Sequence, residues 1–125
     1  MPTLSAAPEG TVTDNRTEAT LARLKEEIED RKGENVKILD LRGLSTITDY
    51  FILVTGNSSP HLRALADQTE INLKRDKMPV YRKAGSAESG WVILDYVDVV
   101  LHIMSEEARS FYDLESLWSD APELG

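Results

Sequence analysis

The chain contains no cysteine and only two histidines, His61 and His102. The absence of cysteine excludes disulfide scaffolds, thiolate metal sites and cysteine nucleophiles, although it leaves the redox compartment open. Two histidines are too few for a histidine-rich metal site, and no set of Ser, His and Asp residues has recognisable catalytic spacing. The sequence therefore predicts no metal, no cofactor and no catalytic centre.

Basic residues are scarce relative to acidic ones. Lysine and arginine together number 14 against 22 aspartates and glutamates, which gives a formal net charge of −8 and a pI of about 4.7. Such a surface repels nucleic-acid phosphates, whose binding requires clustered cations. It attracts basic partners instead, and basic proteins are common where nucleic acid is packaged or scaffolded. We therefore expect a basic protein partner and little direct contact with nucleic acid.

Apolar stretches of membrane-spanning length are also missing. A transmembrane helix needs ~20 apolar residues, whereas the most apolar run, residues 91–104, is shorter and contains Asp95, Asp98 and His102. The N-terminus shows no positively charged segment followed by an apolar one, so it does not indicate export. The expectation is a soluble cytoplasmic protein that does not enter a membrane.

The length of 125 residues is that of one domain. Residues 1–16 are rich in Pro, Gly, Ser and Thr and are expected to form a mobile tail. The domain itself is predicted over residues 17–120, and residues 121–125 are assigned to a C-terminal tail.

Hydrophobic periodicity predicts a single α/β domain in which a mixed central sheet of about five strands is flanked by helices. The predicted order is α-β-β-α-β-β-β-α. The elements are expected as a helix at 17–32, strands at 35–41 and 50–55, a helix at 60–77, an edge strand at 79–82, two strands within 91–104, and a closing helix from 105 that packs Phe111, Leu114 and Trp118 on the sheet. Residues 83–90 are polar and are interpreted as a flexible connection.

The sheet is predicted to be organised around residues 91–104, in which eleven of fourteen residues are hydrophobic. Residues 95–98 are interpreted as a tight turn, because aspartate side chains favour turns. A period of two then places Val99, Leu101 and Ile103 on one face of the second strand, and the residues from Asp98 to Met104 that alternate with them on the other. His102 is interpreted chiefly as a buried core histidine, with a functional role as the alternative.

The loop at 56–60 precedes the second helix. Ser59 is predicted as its N-cap and Pro60 as its first residue, so Gly56, Ser59 and Pro60 are expected to form a structural loop. A Gly-Ser loop at a helix N-terminus also suits an anion, but this loop has neither P-loop spacing nor the repeated glycines of a dinucleotide-binding loop.

Aspartates on later strands leave an enzymatic alternative open. A small loop before a helix, followed by Asp95 and Asp98, is similar to nucleotidyltransferases, which hold Mg²⁺ with paired carboxylates. Those pairs occupy one face of a strand, whereas Asp95 and Asp98 are three residues apart and point to opposite faces unless a turn intervenes. A nucleotide-handling enzyme therefore remains the alternative to a non-enzymatic binding protein.

Aromatic residues stand beside these aspartates, Trp91 before Asp95 and Tyr96 between Asp95 and Asp98. Trp and Tyr close to carboxylates at a strand edge are typical of interface hot spots that receive basic residues. We therefore predict a partner-binding patch formed by Trp91, Asp95, Tyr96 and Asp98. The alternative is that Trp91 belongs to the core.

Four segments resemble the ribosomal silencing factor family, also called RsfS or Iojap, in order and spacing. They are STITDYF at 45–51, TGNSSPH at 55–61, WVILDYVDVVLH at 91–102 and RSFYDLESLW at 109–118. The resemblance implies a non-enzymatic translation repressor with a nucleotidyltransferase-like fold. It also implies binding to basic protein fourteen of the large ribosomal subunit, blocked joining of the small subunit when nutrients are short, and a homodimer in the free state.

Two positions depart from the family pattern. Val97 stands where the family usually has glycine, which bears on the turn geometry around Asp98. Lys83 opens a Lys-Ala-Gly sequence where the family usually has a Glu-Gly pair, so a contact made through that acid is expected to be absent.

Overall fold

The computed structural model describes residues 15–124. Residues 1–14 of the predicted N-terminal tail lie outside this range, whereas Asn15 and Arg16 belong to the first helix. The elements in chain order are α1 (Asn15–Asp30), β1 (Glu34–Asp40), β2 (Tyr50–Gly56), α2 (Ser59–Arg75), β3 (Arg82–Ser86), β4 (Trp91–Asp95), β5 (Val99–Ser105), α3 (Glu106–Tyr112), α4 (Leu114–Leu117) and β6 (Glu123–Leu124).

The strands form one sheet in the order β3-β4-β5-β2-β1-β6. Only the central pair β2 and β5 is parallel among the described strands, running from Tyr50 opposite Val99 to Gly56 opposite Ser105. The predicted α/β class with a mixed sheet is confirmed, although the sheet has six strands rather than about five. The predicted hairpin is confirmed as well, since β4 and β5 pair antiparallel across the short connection at residues 96–98.

Helices α1 and α2 cover one face of this sheet, which we call the helix face. Their apolar side chains, including Leu24 and Leu65, pack with Val99, Leu101 and Ile103 of β5, all of them essentially inaccessible to solvent. The alternation predicted for β5 is therefore correct. Burial of such a continuous apolar layer is the main force that stabilises the domain.

The opposite face, which we call the second face, has a smaller and less complete cover. Leu39, Leu41 and Leu53 form a separate buried cluster there, and half-buried Phe51, Leu114 and Trp118 pack against it. Strand β5 is buried on both faces along nearly its whole length, since it lies between the two layers. This explains why its sequence is a continuous apolar run.

The position of β3 corrects the prediction. The strand occupies residues 82–86, inside the segment interpreted as flexible, and not residues 79–82. All five residues are exposed, so the strand is held by backbone pairing with β4 and leaves no apolar pattern in the sequence. Gly85 is required there, since its φ is +77° and an added Cβ would lie 2.0 Å from the carbonyl oxygen of Trp91.

The closing helix is divided, which is a second correction. Asp113 adopts a left-handed conformation with φ 48° and separates α3 from α4. Because the break rotates the chain, Leu114 and Trp118 pack on the sheet whereas Phe111 is 80% exposed. The spacing of these three residues predicted one apolar stripe only under the assumption of a continuous helix.

The two ends of the described chain also differ in extent from the prediction. Helix α1 ends at Asp30, so Arg31 and Lys32 follow the helix instead of forming its last turn. At the other end, Glu123 and Leu124 pair antiparallel with β1, so these residues of the predicted C-terminal tail extend the sheet. Within residues 15–124, no helix combines the length and hydropathy required to cross a membrane.

Candidate functional site

The turn between β4 and β5 has an unusual backbone. Asp98 N donates to the carbonyl of Tyr96 at 3.0 Å, which closes a three-residue turn centred on Val97, and Val97 has φ 75°. This is the value of the rare γ-turn, and a β-branched residue at positive φ is a genuine outlier. Strain of this kind costs about 1–3 kcal/mol. The carboxylate of Asp95 supports the turn by accepting from Val97 N at 2.8 Å.

Asp98 joins this turn to two other parts of the fold. Its carbonyl accepts from the backbone N–H groups of Asp49 and Tyr50, both at 3.1 Å, and its carboxylate accepts from the hydroxyl of Thr17 at 3.1 Å. The β1–β2 loop and the β4–β5 turn therefore lie side by side. Burial raises the pKa of Asp49, and the neighbouring charge of Asp98 raises it further.

Trp91 lies at the start of β4, half-buried on the second face. Its indole Nε1 donates to Nδ1 of His102 at 3.1 Å. His102 is only 5% exposed, and burial lowers its pKa to about 4, so the ring is neutral near pH 7. Since Nδ1 accepts, the proton must reside on Nε2, which is buried without a partner among residues 15–124. The predicted core position of His102 is confirmed, and the ring also positions Trp91.

Trp91 belongs to a row of rings that crosses the second face. Consecutive ring centroids lie 4.9, 4.6, 5.8, 4.5 and 5.9 Å apart, within the range of favourable aromatic contacts. The row is Phe111, Tyr112, Trp91, His102, Phe51 and Trp118. Its middle is covered by the fold, while the Phe111 end is exposed to solvent.

The four predicted partner-binding residues do not share one face. Trp91 and Asp95 alternate with residues of the helix-face core and therefore lie on the second face. Tyr96 packs against the helix-face core instead, and burial raises the pKa of its hydroxyl, which has no hydrogen-bond partner among the described residues. Asp98 lies at the edge between the two faces, beside α1.

The predicted capped helix after the loop at 56–60 is confirmed, but the residue predicted as its cap is wrong. Ser58, in an extended conformation, is the N-cap, and its hydroxyl accepts from His61 N at 3.1 Å. Ser59, which was predicted as the cap, is instead the first residue of α2, followed by Pro60. A cap assignment that differs by one residue is decided by backbone conformation, since both serines could accept the same hydrogen bond. Gly56 leaves room for Leu62, which an added Cβ would approach to 2.7 Å.

Both ring nitrogens of His61 form hydrogen bonds within the chain. Its Nδ1 accepts from Asn57 N at 2.9 Å, so the proton lies on Nε2, which donates to the carbonyl of Arg31 at 2.7 Å. The ring therefore connects the loop to the end of α1. A side chain with both nitrogens engaged in this way has a structural role.

A cleft of about 820 Å³ lies beside this loop, at the carboxyl ends of β2 and β5. In parallel sheets this is the usual position of a ligand site. Among the described residues that line it, however, four are glutamates, Glu34, Glu88, Glu106 and Glu107, and none is basic. Their charge opposes the binding of phosphate groups. No cluster of three or more potential metal-ligating side chains occurs in the described part of the chain.

Two contacts that position the site leave no recognisable pattern in the sequence. Buried Arg109 donates to the hydroxyl of Thr55 at 2.9 Å and to Glu115 at 3.1 and 3.2 Å, which holds α3 and α4 against β2. Thr17 of α1 donates to Asp98 across 81 positions of sequence. Side chains six residues apart do not meet on a continuous helix, so Arg109 and Glu115 can pair only because the chain breaks at Asp113.

Comparison with known proteins identifies relatives over most of the chain. The model of the family described as "Ribosomal silencing factor during starvation" matches residues 14–125. Ribosomal silencing factor RsfS of Bacillus subtilis is 36% identical over 94 residues, which cover 75% of this chain and 80% of that protein. The mitochondrial Iojap-related protein of Arabidopsis thaliana is 30% identical over 104 residues, covering 80% of this chain and 56% of that protein.

Two solved structures are also similar to this chain. A crystal structure of a Chromobacterium violaceum protein superposes with a TM-score of 0.78 at 31% identity and covers 82% of this chain and 86% of that chain. A second crystal structure, from Bacillus halodurans, gives a TM-score of 0.76 at 29% identity and covers 86% and 98%. The sequence motifs, the mixed sheet and these similarities lead to one conclusion: the chain belongs to the ribosomal silencing factor family.

Proposed function

We propose that the protein is a translation repressor that binds basic protein fourteen of the large ribosomal subunit and blocks joining of the small subunit under nutrient limitation. The observation that carries this proposal is the β4–β5 turn, where the carboxylates of Asp95 and Asp98 stand beside exposed Val97 in a chain of net charge −8. Family membership supports the ribosomal role. Carboxylates beside apolar groups suit a basic protein surface far better than they suit RNA.

The predicted partner-binding residues have different roles in this proposal. Trp91 and Asp95 contact the partner from the second face, and Asp98 contacts it from the edge. Tyr96 acts indirectly by supporting the turn from the helix face, since its half-buried ring packs against the core. Arg82 approaches Asp95 at 3.5 Å and is 72% exposed, so a basic partner can displace it at little cost.

The protein acts without catalysis in this proposal and has a nucleotidyltransferase-like fold that has lost the activity. The alternative of a nucleotide-handling enzyme requires the cleft beside Gly56 to accept phosphates. Its four glutamates and the engagement of both nitrogens of His61 argue against that use. A thermal-shift measurement with Mg²⁺ and nucleoside triphosphates separates the two functions, because a ligand of the native state raises the Tm. We expect no shift, and a concentration-dependent rise would favour the enzyme.

The free protein is proposed to be a cytoplasmic homodimer, as the family resemblance implies. Exposed Phe111 and Leu117, which are 80% and 73% accessible on α3 and α4, are side chains that a second copy can cover. Sedimentation equilibrium tests this state. A monomer at every concentration would contradict it.

Binding to ribosomes is tested by co-sedimentation. The protein is incubated with isolated large subunits, with joined ribosomes, and with large subunits to which small subunits are then added. We expect it to sediment with isolated large subunits, to be absent from joined ribosomes, and to reduce the yield of joined ribosomes when added first. Equal binding to free and joined subunits would contradict the block of subunit joining.

A further inference from the structure

A histidine stands in an apolar part of the second face. His102 of β5 is 5% exposed, and the residues directly opposite it on the neighbouring strands are Leu53 of β2 and Ile93 of β4. The ring of Phe51 also contacts the imidazole, with 4.5 Å between the two ring centroids. An apolar side chain would suit all of these neighbours. The packing of the sheet therefore does not explain why a polar ring occupies this position.

The imidazole of His102 destabilises the fold at one of its two nitrogens. Because Nδ1 accepts a hydrogen bond from Trp91, the proton lies on Nε2, and Nε2 is buried without a partner among residues 15–124. A buried N–H group that has lost its water and gained no acceptor lowers the stability of a protein. Groups of this kind are retained where function uses them. The nitrogen that is used here is Nδ1.

The group that depends on Nδ1 is the indole of Trp91. This half-buried ring lies opposite Met104, at the end of β4 away from the β4–β5 turn, and also contacts the ring of Tyr112, which is 52% exposed. A contact between two rings permits sliding and tilting, whereas the 3.1 Å hydrogen bond from Nε1 to Nδ1 has a preferred direction. Without this acceptor the indole N–H would have to turn towards water. The hydrogen bond therefore fixes the orientation of the ring.

We propose that His102 is a positioning residue whose Nδ1 holds the indole of Trp91 in one orientation in the free protein, so that the partner meets a ring that is already ordered. This inference rests on the proposed function, in which Trp91 contacts the ribosomal partner, and adds the buried residue that acts through it. A side chain that is ordered before association raises affinity, because it loses less conformational freedom on binding. The polar ring in the core is thus explained by binding and not by folding.

Two substitutions separate the hydrogen bond from the packing of the ring. His102→Phe keeps an aromatic ring beside Phe51 and Trp91 but has no acceptor, so affinity for isolated large subunits should fall about fivefold. His102→Asn can place its side-chain oxygen where histidine has Nδ1, so its affinity should stay within about twofold of the unmodified protein. The smaller asparagine leaves a cavity, so His102→Asn should have the lower Tm of the two variants at pH 7. Stability and affinity should therefore rank the two variants in opposite orders.

The matched control is Thr69→Val on α2. The hydroxyl of Thr69 is likewise buried without a hydrogen-bond partner among the described residues, but it belongs to the buried side of α2 on the helix face. Its removal should leave affinity for large subunits unchanged. Binding is measured below the Tm of every variant.

The orientation of the indole is measured directly by nuclear magnetic resonance. The indole N–H signal of Trp91 is distinguished from that of Trp118 with the variant Trp118→Phe. In the unmodified protein and in His102→Asn this signal should lie downfield and exchange slowly with solvent, as expected of a bonded N–H. In His102→Phe it should move upfield and exchange faster.

The outcomes separate this inference from the proposed function. If the unmodified protein does not bind large subunits, both are wrong. If it binds and His102→Phe binds equally well, His102 does not position Trp91 for the partner, while the proposed function stands. Equally weak binding by His102→Asn and His102→Phe would assign the effect to packing, which also overturns the inference. An unchanged indole signal in His102→Phe would do the same.

Discussion

The loop at residues 56–61 and the turn at residues 95–98 lie at opposite ends of the parallel strands β2 and β5, and they use their polar groups differently. In the loop, Ser58 caps a helix and both nitrogens of His61 are bonded within the chain. In the turn, Asp98 lacks a cationic partner among the described residues and Val97 is strained and exposed. A polar loop before a helix therefore need not be a site, whereas a strained turn with unbalanced charge is the better candidate.

The two histidines show the same difference. His61 stabilises the connection between α1 and α2, while His102 lies in the interior of the sheet and positions Trp91 on the second face. The comparison between the structural end of the sheet and the end proposed to bind a partner gives four predictions, in order of decreasing effect.

Reversal of the charge at the turn should have the largest effect. Asp98→Arg places a cation where a basic partner must approach, so affinity for isolated large subunits should fall by several kcal/mol, about 3 or more if the pair is desolvated. Binding is measured at two salt concentrations, with chemical denaturation to confirm folding. Thr17→Val is the control, since it removes the hydrogen bond to Asp98 but keeps the charge. Wild-type affinity for a folded Asp98→Arg variant would exclude the turn from the interface.

Acidification should destabilise the fold through His102. Burial holds the pKa of His102 at about 4, below the ordinary value of 6.5, so the unfolded chain binds a proton in this range that the folded chain does not. Above about pH 6.5 neither state binds this proton, so the free energy of unfolding is unaffected. As the pH falls towards 4, the free energy of unfolding decreases by about 3 kcal/mol because only the unfolded chain takes up the proton. Denaturation between pH 4 and 7 measures it. In the His102→Phe variant this loss of stability at low pH should be absent. An unchanged pH dependence would contradict its assignment to His102.

Truncation of Trp91 should affect both binding and folding. Trp91→Ala should cost ~2 kcal/mol of affinity for isolated large subunits if the ring is an interface anchor. Because the ring is only half-buried, the loss of folding stability should stay below the ~3–5 kcal/mol of a fully buried tryptophan. Both are measured on the same variant by binding and denaturation. A full-sized loss of stability with unchanged affinity would assign Trp91 to the core alone.

Removal of the helix cap should have the smallest effect and no effect on binding. Ser58→Ala should lower the free energy of unfolding by about 1 kcal/mol, the usual cost of a lost cap. Ser59→Ala is the matched control and should change stability little, since Ser59 does not cap the helix. Urea denaturation of the two variants compares them directly. Weakened ribosome binding at unchanged stability would show instead that this loop contacts the ribosome.

Local sequence determined the faces of the elements and the location of the hairpin. The period of two assigned Val99, Leu101 and Ile103 to one face, because side chains alternate in any strand regardless of what covers it. Four matching segments indicated the family, and the charge of −8 predicted a basic partner. These inferences depend on composition and on backbone geometry over a few residues, so they did not require the fold.

Tertiary structure decided which of the predicted residues lie together. Trp91 and Tyr96 are an odd number of residues apart, so strand alternation already separates their faces, but only the packing of the helices decided that Tyr96 lies against the helix-face core and Trp91 on the second face. The neighbours of Asp98, Thr17 and Asp49, are brought to it by helix packing and by the parallel register of β2 and β5. The strain at Val97 likewise exists only because the strands on both sides fix the turn. Such relations depend on contacts distant in sequence, and no local pattern encodes them.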